Sequence, residues 1–259
     1  EMLSQMLGEQ YSSYTRCCNY ASGSAMRTAS LGLFLDEKWE GDGLKIKEVI
    51  KRGPFAVKKT GVKAGDIIES IDGVKIMAGD DYNALLDGKA RKAVRIGVKG
   101  KKEDIIVKPI SSGELEELLY KRWVDRNRAF VDSISGGRIA YVHVKAMDSE
   151  SFRKVYEELL SESNRNRDAV VVDERHNGGG WLHDDLCTLL AGKEYQQFVP
   201  RDKYIGRDPY NKWTKPSCVL ICEDDYSNGH GFPWVYKELG IGKLIGTPVA
   251  GTMTAVWWE

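Results

Sequence analysis

The sequence lacks several features that mark specialised classes of protein. Its 38 basic and 38 acidic side chains give a formal net charge of zero, so there is no basic excess for a nucleic-acid or anionic-membrane surface. No apolar run approaches the roughly 20 residues of a membrane-spanning helix. Apolar residues make up 42% and charged residues 29%, as in ordinary globular proteins. We therefore expect a globular chain with no nucleic-acid partner and no membrane insertion.

Cysteine and histidine are scarce, and their spacing does not indicate a metal site. The five cysteines include no Cys-x-x-Cys pair, and no His-x₃-His spacing accompanies them. Cys218 and Cys222 flank a predicted buried strand, and four residues along a strand span roughly 13 Å, too far for a disulfide. We interpret the cysteines as small buried hydrophobes and expect neither a metal nor a cofactor.

What the sequence does contain is three stretches of different texture. Residues 1–30 begin with an amphipathic helical pattern and continue as a polar, serine-rich stretch. Residues 31–109 alternate short apolar strands with turns, and residues 110–259 alternate near-continuous apolar strands with helices. The last pattern predicts an α/β core domain with a covered, largely parallel sheet, beside a small β-rich domain. The patterns predict a strand over 31–35, an Asp-Gly hairpin turn at 72–73, and helices over 80–86, 181–190 and 232–239. We also expect both chain ends to be internal to a longer protein.

A glycine-rich loop follows one predicted buried strand. It has the sequence DERHNGGGW and covers residues 173–181. Three glycines before a helix let the backbone approach a ligand and direct N–H groups at negative charge. Two ligands suit such donors, a phosphate or the oxyanion of a tetrahedral intermediate. The loop lacks the Gly-Lys-Ser/Thr ending of a P-loop.

A second loop places Ser227 between a predicted strand end and a helix start. The hydroxyl is exposed there, and the helix N-terminus favours an anion. Asp225 stands where a Gly-x-Ser-x-Gly elbow has its first glycine. Taken alone, Ser227 is typical of a helix cap. A glycine loop on a neighbouring strand favours the nucleophile interpretation.

Residues 31–109 resemble a PDZ domain. The resemblance rests on the run GVKAGDIIESIDG at residues 61–73. It implies that peptide ends bind by adding a strand to the sheet edge, next to a carboxylate-binding loop. The residues implied in that loop and its strand are Leu31, Gly32, Leu33 and Phe34. The alternative is a domain that only packs against its neighbour.

Three motifs extend the resemblance to nearly the whole chain. DERHNGGGW, then YSNGHGFP at 226–233 and GIGKLIGTPVAGT at 240–252, resemble the C-terminal-processing peptidase family, closest to its tricorn-like branch. This resemblance implies a serine peptidase with a ClpP/crotonase-like core. It implies Ser227 as the nucleophile, and an oxyanion hole formed by the backbone amide of Asn228 and that of Gly178 or Gly179.

The general base departs from the family pattern. The tail-processing branch has a lysine about 25 residues after the serine, where this chain has Thr252. The tricorn-like branch has a Ser-His pair before the PDZ domain, and a loose match puts Ser13 at the serine and Tyr14 at the histidine. A tyrosine with an ordinary pKa near 10 is a poor base at neutral pH. The resemblance also implies a glutamate further downstream, beyond residue 259.

The four histidines are candidate substitutes for that base. His230 follows Ser227 by three residues and could approach its hydroxyl. We expect His143 to be packed on its strand, and His176 and His183 to lie near the site without entering it.

We therefore predict a serine endopeptidase that cleaves peptides or unfolded proteins through an acyl-enzyme on Ser227. The chain would then consist of an N-terminal segment that contributes to the active site, residues 1–30, a PDZ-like domain, 31–109, and the peptidase core, 110–259. The PDZ-like domain would gate or tether substrate. One alternative is a peptide-binding pseudo-protease without a working base, and another is a phosphate-binding α/β protein. Homo-oligomer formation and the compartment, cytoplasmic or extracytoplasmic, stay open.

Overall fold

The computed structural model describes residues 27–57, 60–251 and 253. The chain divides into two compact units between Asp125 and Arg126. None of the helices in these described ranges is long and apolar enough to cross a membrane.

The first unit contains an antiparallel sheet. Its strands run in the order β1-β2-β3-β5-β6, with β4 paired to β3. The six strands are β1 (Leu33–Leu35), β2 (Leu44–Val49), β3 (Ile67–Ile71), β4 (Val74–Lys75), β5 (Val94–Val98) and β6 (Ile105–Val107). The predicted Asp-Gly hairpin joins β3 to β4, with positive φ at both Asp72 and Gly73, as this tight turn requires.

Alternating side chains build the core of the first unit. Val94, Ile96 and Val98 of β5 are buried, whereas Arg95 between them is exposed. Each buried side chain of this size contributes roughly 1.5–3 kcal/mol to the free energy of unfolding. The helix expected at 80–86 is a 3₁₀ segment, Tyr82–Leu86, which the side chain of Asp81 caps. The segment has only five residues, and 3₁₀ geometry occurs in short pieces of chain.

The second unit contains a four-stranded, fully parallel sheet in the order β12-β11-β8-β7, and a separate antiparallel pair, β9 and β10. Its strands are β7 (Ile139–His143), β8 (Ala169–Asp173), β9 (Gln196–Phe198), β10 (Gly206–Asp208), β11 (Ser217–Ile221) and β12 (Lys243–Gly246). The helices are α1 (Ser112–Ser135), α2 (Ser149–Leu159), α3 (Glu162–Arg165), α4 (His183–Leu190) and α5 (Asn228–Glu238). The boundary between the two units falls within α1.

The parallel sheet confirms the predicted α/β core. Val142 on β7, Val172 on β8 and Val219 on β11 are fully buried, as expected for parallel strands covered on both faces. β8 and β11 are neighbours, with Leu220 opposite Asp173. Their carboxyl ends therefore lie side by side, and open α/β sheets bind ligands at such ends.

Three predicted element starts differ from the structure. β1 begins at Leu33 rather than Leu31, because Gly32 has a φ of 66° that interrupts the strand. α4 begins at His183 instead of Trp181. α5 begins at Asn228, four residues before the predicted start at Phe232. Glycine and proline are weak helix formers, and both occur in the first turns of α5.

Candidate active site

Two loops meet at the carboxyl ends of β8 and β11. The glycine loop comprises residues 174–182 and the serine loop residues 222–227. The backbone N–H of Tyr226 donates a hydrogen bond to the carbonyl of Asn177 at 2.9 Å, which joins the two loops directly. The sequence motifs identified separately thus form one site.

Ser227 has a strained backbone. Its φ is 54° and its ψ is −116°, a conformation that costs a non-glycine residue on the order of 1–3 kcal/mol. Ser227 precedes the first residue of α5, but its side chain makes no capping hydrogen bond to that helix. The geometry therefore does not match the simple helix-cap interpretation. Such strain is typical of functional sites.

Gly179 lies directly against Ser227. A Cβ atom built on Gly179 would come within 2.7 Å of both the Ser227 Cβ and the Tyr226 carbonyl oxygen. The φ of Gly179 is also 91°, a region that side chains rarely adopt. Only glycine fits here, and its absent side chain allows the loop backbone to reach the serine.

Two backbone amides that the described structure leaves unpaired are adjacent in the chain to Ser227 and Gly179. Within the described part of the chain, the N–H groups of Asn228 and Gly178 have no hydrogen-bond acceptor. The N–H of Gly179 instead donates to Oδ1 of Asn177 at 2.8 Å. Of the two glycines expected as alternatives, Gly178 is thus the one with an amide available to a ligand. The Asn228 amide belongs to the first turn of α5, where the helix favours negative charge.

Two buried polar side chains hold the loops in place, and sequence reasoning missed both. Asn177 donates from Nδ2 to the carbonyl of Val144 at 2.8 Å and from its backbone N–H to Oδ1 of Asp225 at 3.1 Å. The other carboxylate oxygen of Asp225 accepts from the backbone N–H of Cys222 at 2.8 Å. No sequence signal marks these bonds, because a buried asparagine in a loop looks like any turn residue.

The side chain of Asn228 has a second structural task. Its Oδ1 accepts hydrogen bonds from the backbone N–H groups of Leu182 and His183, at 2.8 and 3.1 Å. These are amides at the start of α4, whose own N-cap position holds Leu182 and has no side-chain cap. Asn228 therefore caps α4 from another helix and fixes the glycine loop that leads into it.

Three buried acids near the loops have pKa values that are shifted in different directions. Burial raises the pKa of Glu174 well above its ordinary value, and the neighbouring Asp225 and Asp173 add to the shift. Both Glu174 carboxyl oxygens are buried without a hydrogen-bond partner. Burial likewise raises the pKa of Asp225. Burial alone would raise the pKa of Asp173, but hydrogen bonds from Arg175 and Tyr141 outweigh it and lower the pKa.

The positions considered for the base are not described by the structure. Ser13 and Tyr14 lie outside the described residues, as does Thr252, which stands where the tail-processing branch has its lysine. His230 accepts a hydrogen bond at Nδ1 from the backbone N–H of Met253, at 3.2 Å. Nδ1 of His230 thus accepts from a backbone amide, which is a different contact from the one suggested with the Ser227 hydroxyl.

The other histidines have structural partners. Nδ1 of His183 lies 2.8 Å from Nδ2 of Asn228, and Nε2 of His143 lies 3.3 Å from the carbonyl oxygen of Arg175. Burial lowers the pKa of His143. His176 lies 3.0 Å from Asp224 through Nδ1.

The proposed peptide-binding residues lie at one edge of the first unit. Leu31 is buried, and the N–H of Gly32 donates to Oγ of Ser30 at 3.0 Å. Leu33 and Phe34 belong to β1, which is an edge strand of the described sheet. Edge strands present unpaired backbone groups to which an extended peptide can add.

Comparison with protein families identifies both regions of the chain. Residues 138–259 match the sequence profile of peptidase family S41, and residues 45–100 match a PDZ domain profile. The tricorn protease of Thermoplasma volcanium is 29% identical over 209 residues, which cover 80% of this chain and 20% of that protein. The tricorn protease of Thermoplasma acidophilum is 30% identical over 195 residues, covering 74% of this chain and 18% of that protein.

Comparison of the three-dimensional structures also indicates similarity to the tricorn protease. A crystal structure of the tricorn protease matches with a TM-score of 0.73 and 26% identity, over 87% of this chain and 23% of that one. The chain thus spans about a fifth of the length of these relatives. The chain thus carries a serine-type peptidase domain of family S41 and a PDZ domain, and its relatives support the tricorn-like branch of the C-terminal-processing peptidases.

Proposed function

We propose that Ser227 is the nucleophile of a peptidase that cleaves peptides or unfolded proteins through an acyl-enzyme. The approach of the glycine loop to Ser227, where a Cβ on Gly179 would lie 2.7 Å from that of Ser227, carries this proposal. It leaves the amides of Gly178 and Asn228 as the donors for an oxyanion beside the serine. Donors fixed before the reaction are among the largest contributions to acyl-transfer catalysis.

The proposed steps follow from this arrangement. The Ser227 oxygen attacks the peptide carbonyl, its proton passes to a base, and the carbonyl oxygen becomes an oxyanion held by the two amides. The C–N bond then breaks, the amine leaves with a proton, and an ester on Ser227 remains. Water attacks the ester, the acid product leaves, and the serine regains its proton.

Removing the hydroxyl tests this assignment. Ser227→Ala should reduce hydrolysis of fluorogenic peptides by about 10⁴-fold or more, since removing the nucleophile of a serine peptidase has effects of that order. Ser163→Ala, at an exposed serine of α3, is the matched control and should leave the rate unchanged. Equal rates for Ser227→Ala and the unaltered protein would refute the assignment.

A pseudo-protease is the second candidate, and Tyr14 favours it. The family resemblance puts Tyr14 where a histidine base is expected, and a tyrosine with an ordinary pKa near 10 accepts protons poorly at neutral pH. If Tyr14 and Ser13 serve a slow peptidase, the rate should rise as pH increases toward 10. Tyr14→His should then raise the rate at pH 7. A protein that binds peptide but stays inactive at every pH supports the pseudo-protease.

We also propose that the PDZ domain holds substrate ends at β1. A peptide ending in a free carboxylate should bind at least tenfold more tightly than the same peptide with an amidated end, because backbone N–H groups of the loop hold the carboxylate. Fluorescence anisotropy measures both affinities. Equal affinities would leave only the packing role for Leu31, Gly32, Leu33 and Phe34.

A further inference from the structure

We infer that the two active-site loops also form a binding site for a zinc-type divalent cation. The ligands are Nδ1 of His176 in the glycine loop, and Sγ of Cys222 and a carboxylate oxygen of Asp224 in the serine loop. All three ligand atoms lie within 4.8 Å of one another. The inference concerns metal binding alone and does not require peptidase activity.

Two of the three distances between the ligand atoms are close to those of a tetrahedral zinc site. Nδ1 of His176 lies 3.8 Å from Sγ of Cys222 and 3.0 Å from Oδ2 of Asp224. Zinc binds sulfur at about 2.3 Å and nitrogen or oxygen at about 2.1 Å, so tetrahedral angles put sulfur and nitrogen about 3.6 Å apart and nitrogen and oxygen about 3.4 Å apart. Shifts of a few tenths of an ångström would bring both pairs to ligand spacing.

The site combines a fixed interior ligand with two outer ones. Cys222 is buried, whereas the side chains of His176 and Asp224 are 61% and 66% exposed. A cation can therefore enter from solvent, and a water molecule can complete the tetrahedron. Thiolate and imidazole ligands favour zinc over magnesium and calcium, which bind oxygen ligands.

Neighbouring bonds hold the ligands before a cation arrives. The backbone N–H of His176 donates to Sγ of Cys222 at 3.3 Å, and Asp225 accepts from the backbone N–H of Cys222 at 2.8 Å. Asp225 also accepts from the backbone N–H of Asn177, which follows His176. The side chain of Asp225 thus fixes both loops.

Binding has a defined proton balance and a structural consequence. The S–H bond of Cys222 breaks, a zinc–sulfur bond forms, and the thiol proton passes to solvent. The bound ion would link His176 to Asp224, and so tie the loop that carries Gly178 to the loop that carries Ser227.

Cobalt(II) gives a spectroscopic test, because thiolate ligation produces a near-ultraviolet charge-transfer band and tetrahedral geometry produces strong visible bands. Titration of the purified protein should show both, saturating at one equivalent and disappearing when zinc is added. Cys222→Ser and His176→Ala should lose the bands. Cys218→Ser, at the cysteine four residues earlier, is the matched control and should keep them.

The test remains decisive even if one of the variants does not fold. If Cys222→Ser does not fold, His176→Ala and Asp224→Asn still report, since both side chains are exposed. Zinc should raise the melting temperature of the unaltered protein but not that of His176→Ala, because a ligand of the native state stabilises it by mass action. The absence of the bands in the unaltered protein, or their persistence in both Cys222→Ser and His176→Ala, would overturn the inference.

Discussion

Gly179 and Gly178 are adjacent residues with opposite tolerance for a side chain. A Cβ on Gly179 would contact Ser227 and Tyr226, whereas a Cβ on Gly178 meets no atom within 4 Å. The two glycines look equivalent in the sequence. Only the structure separates the one that allows close approach from the one that offers its amide.

This difference gives a matched pair of substitutions. Gly179→Ala should lower peptide hydrolysis by at least about 100-fold, since a displacement near 1 Å at a reacting group costs that much, and should destabilise the protein by about 1–3 kcal/mol. Gly178→Ala keeps its N–H and should change the stability by only about 0.5 kcal/mol and the rate by about twofold. Peptide kinetics and urea unfolding of both variants measure these effects. Equal rate losses would argue against the close approach at Gly179.

Several residues of the candidate site were predictable because their chemistry has a local pattern. A serine after a strand predicts a nucleophile, and three glycines before a helix predict an anion-binding loop. Asn177 and Asp225 have no such pattern, since the bonds that join them to Val144 and to each other span 33 and 48 residues. The cluster of His176, Cys222 and Asp224, which we infer to bind a cation, has no local pattern either, because His176 lies 46 and 48 residues from the other two.

At the scale of elements, the start of α4 depends on a side chain from α5. Asn228 accepts from the backbone N–H groups of Leu182 and His183. Sequence rules look for a cap next to the helix in the chain and find only Leu182 there. The predicted start of α4 was therefore early, because the true cap is 45 residues away from His183.

Substitution of Asn228 tests its role as the cap of α4. Asn228→Ala should lower the free energy of unfolding by about 1–2 kcal/mol, because it leaves two amides of α4 without their acceptor. Asn228→Asp keeps a side-chain oxygen at the same position and should recover most of the loss. Both substitutions retain the backbone N–H proposed for the oxyanion. Chemical denaturation of the three proteins compares their stabilities, and a harmless alanine variant would show that the cap contributes nothing.

The strands were predicted better than the helix ends. The apolar runs of β8 and β11 identified a covered parallel sheet, because burial on both faces leaves no polar alternation. Helix starts depend on capping and on glycines chosen for close packing. In α5, a Cβ on Gly229 would lie 2.9 Å from the carbonyl oxygen of Asn177. That glycine serves the contact between loops rather than helix propensity.

At the scale of the whole molecule, stability should depend on the protonation of Glu174. Its pKa is raised in the folded protein, so the folded state holds a proton that the unfolded chain releases above about pH 4.3. The stability that Glu174 contributes is therefore fully present below that pH and is lost as pH rises toward the folded pKa. The loss is about 1.4 kcal/mol per pH unit over that range.

Glu174→Gln should remove this slope. Urea unfolding between pH 5 and 8 should show the unaltered protein losing stability relative to Glu174→Gln as pH rises, with any constant offset reflecting the buried amide. Glu157→Gln, at an exposed position of α2, is the control and should keep the slope of the unaltered protein. Parallel pH profiles for Glu174→Gln and the unaltered protein would contradict the assigned ionisation.

If Ser227 is a nucleophile activated by its position between the two loops, as we propose, it should react with a fluorophosphonate probe. Peptide mass spectrometry of the labelled, purified protein locates the modified residue. One labelled site is expected, at Ser227, which is lost in Ser227→Ala and retained in Ser163→Ala. A folded, peptide-binding protein whose Ser227 stays unlabelled would contradict the proposed nucleophile and favour the pseudo-protease.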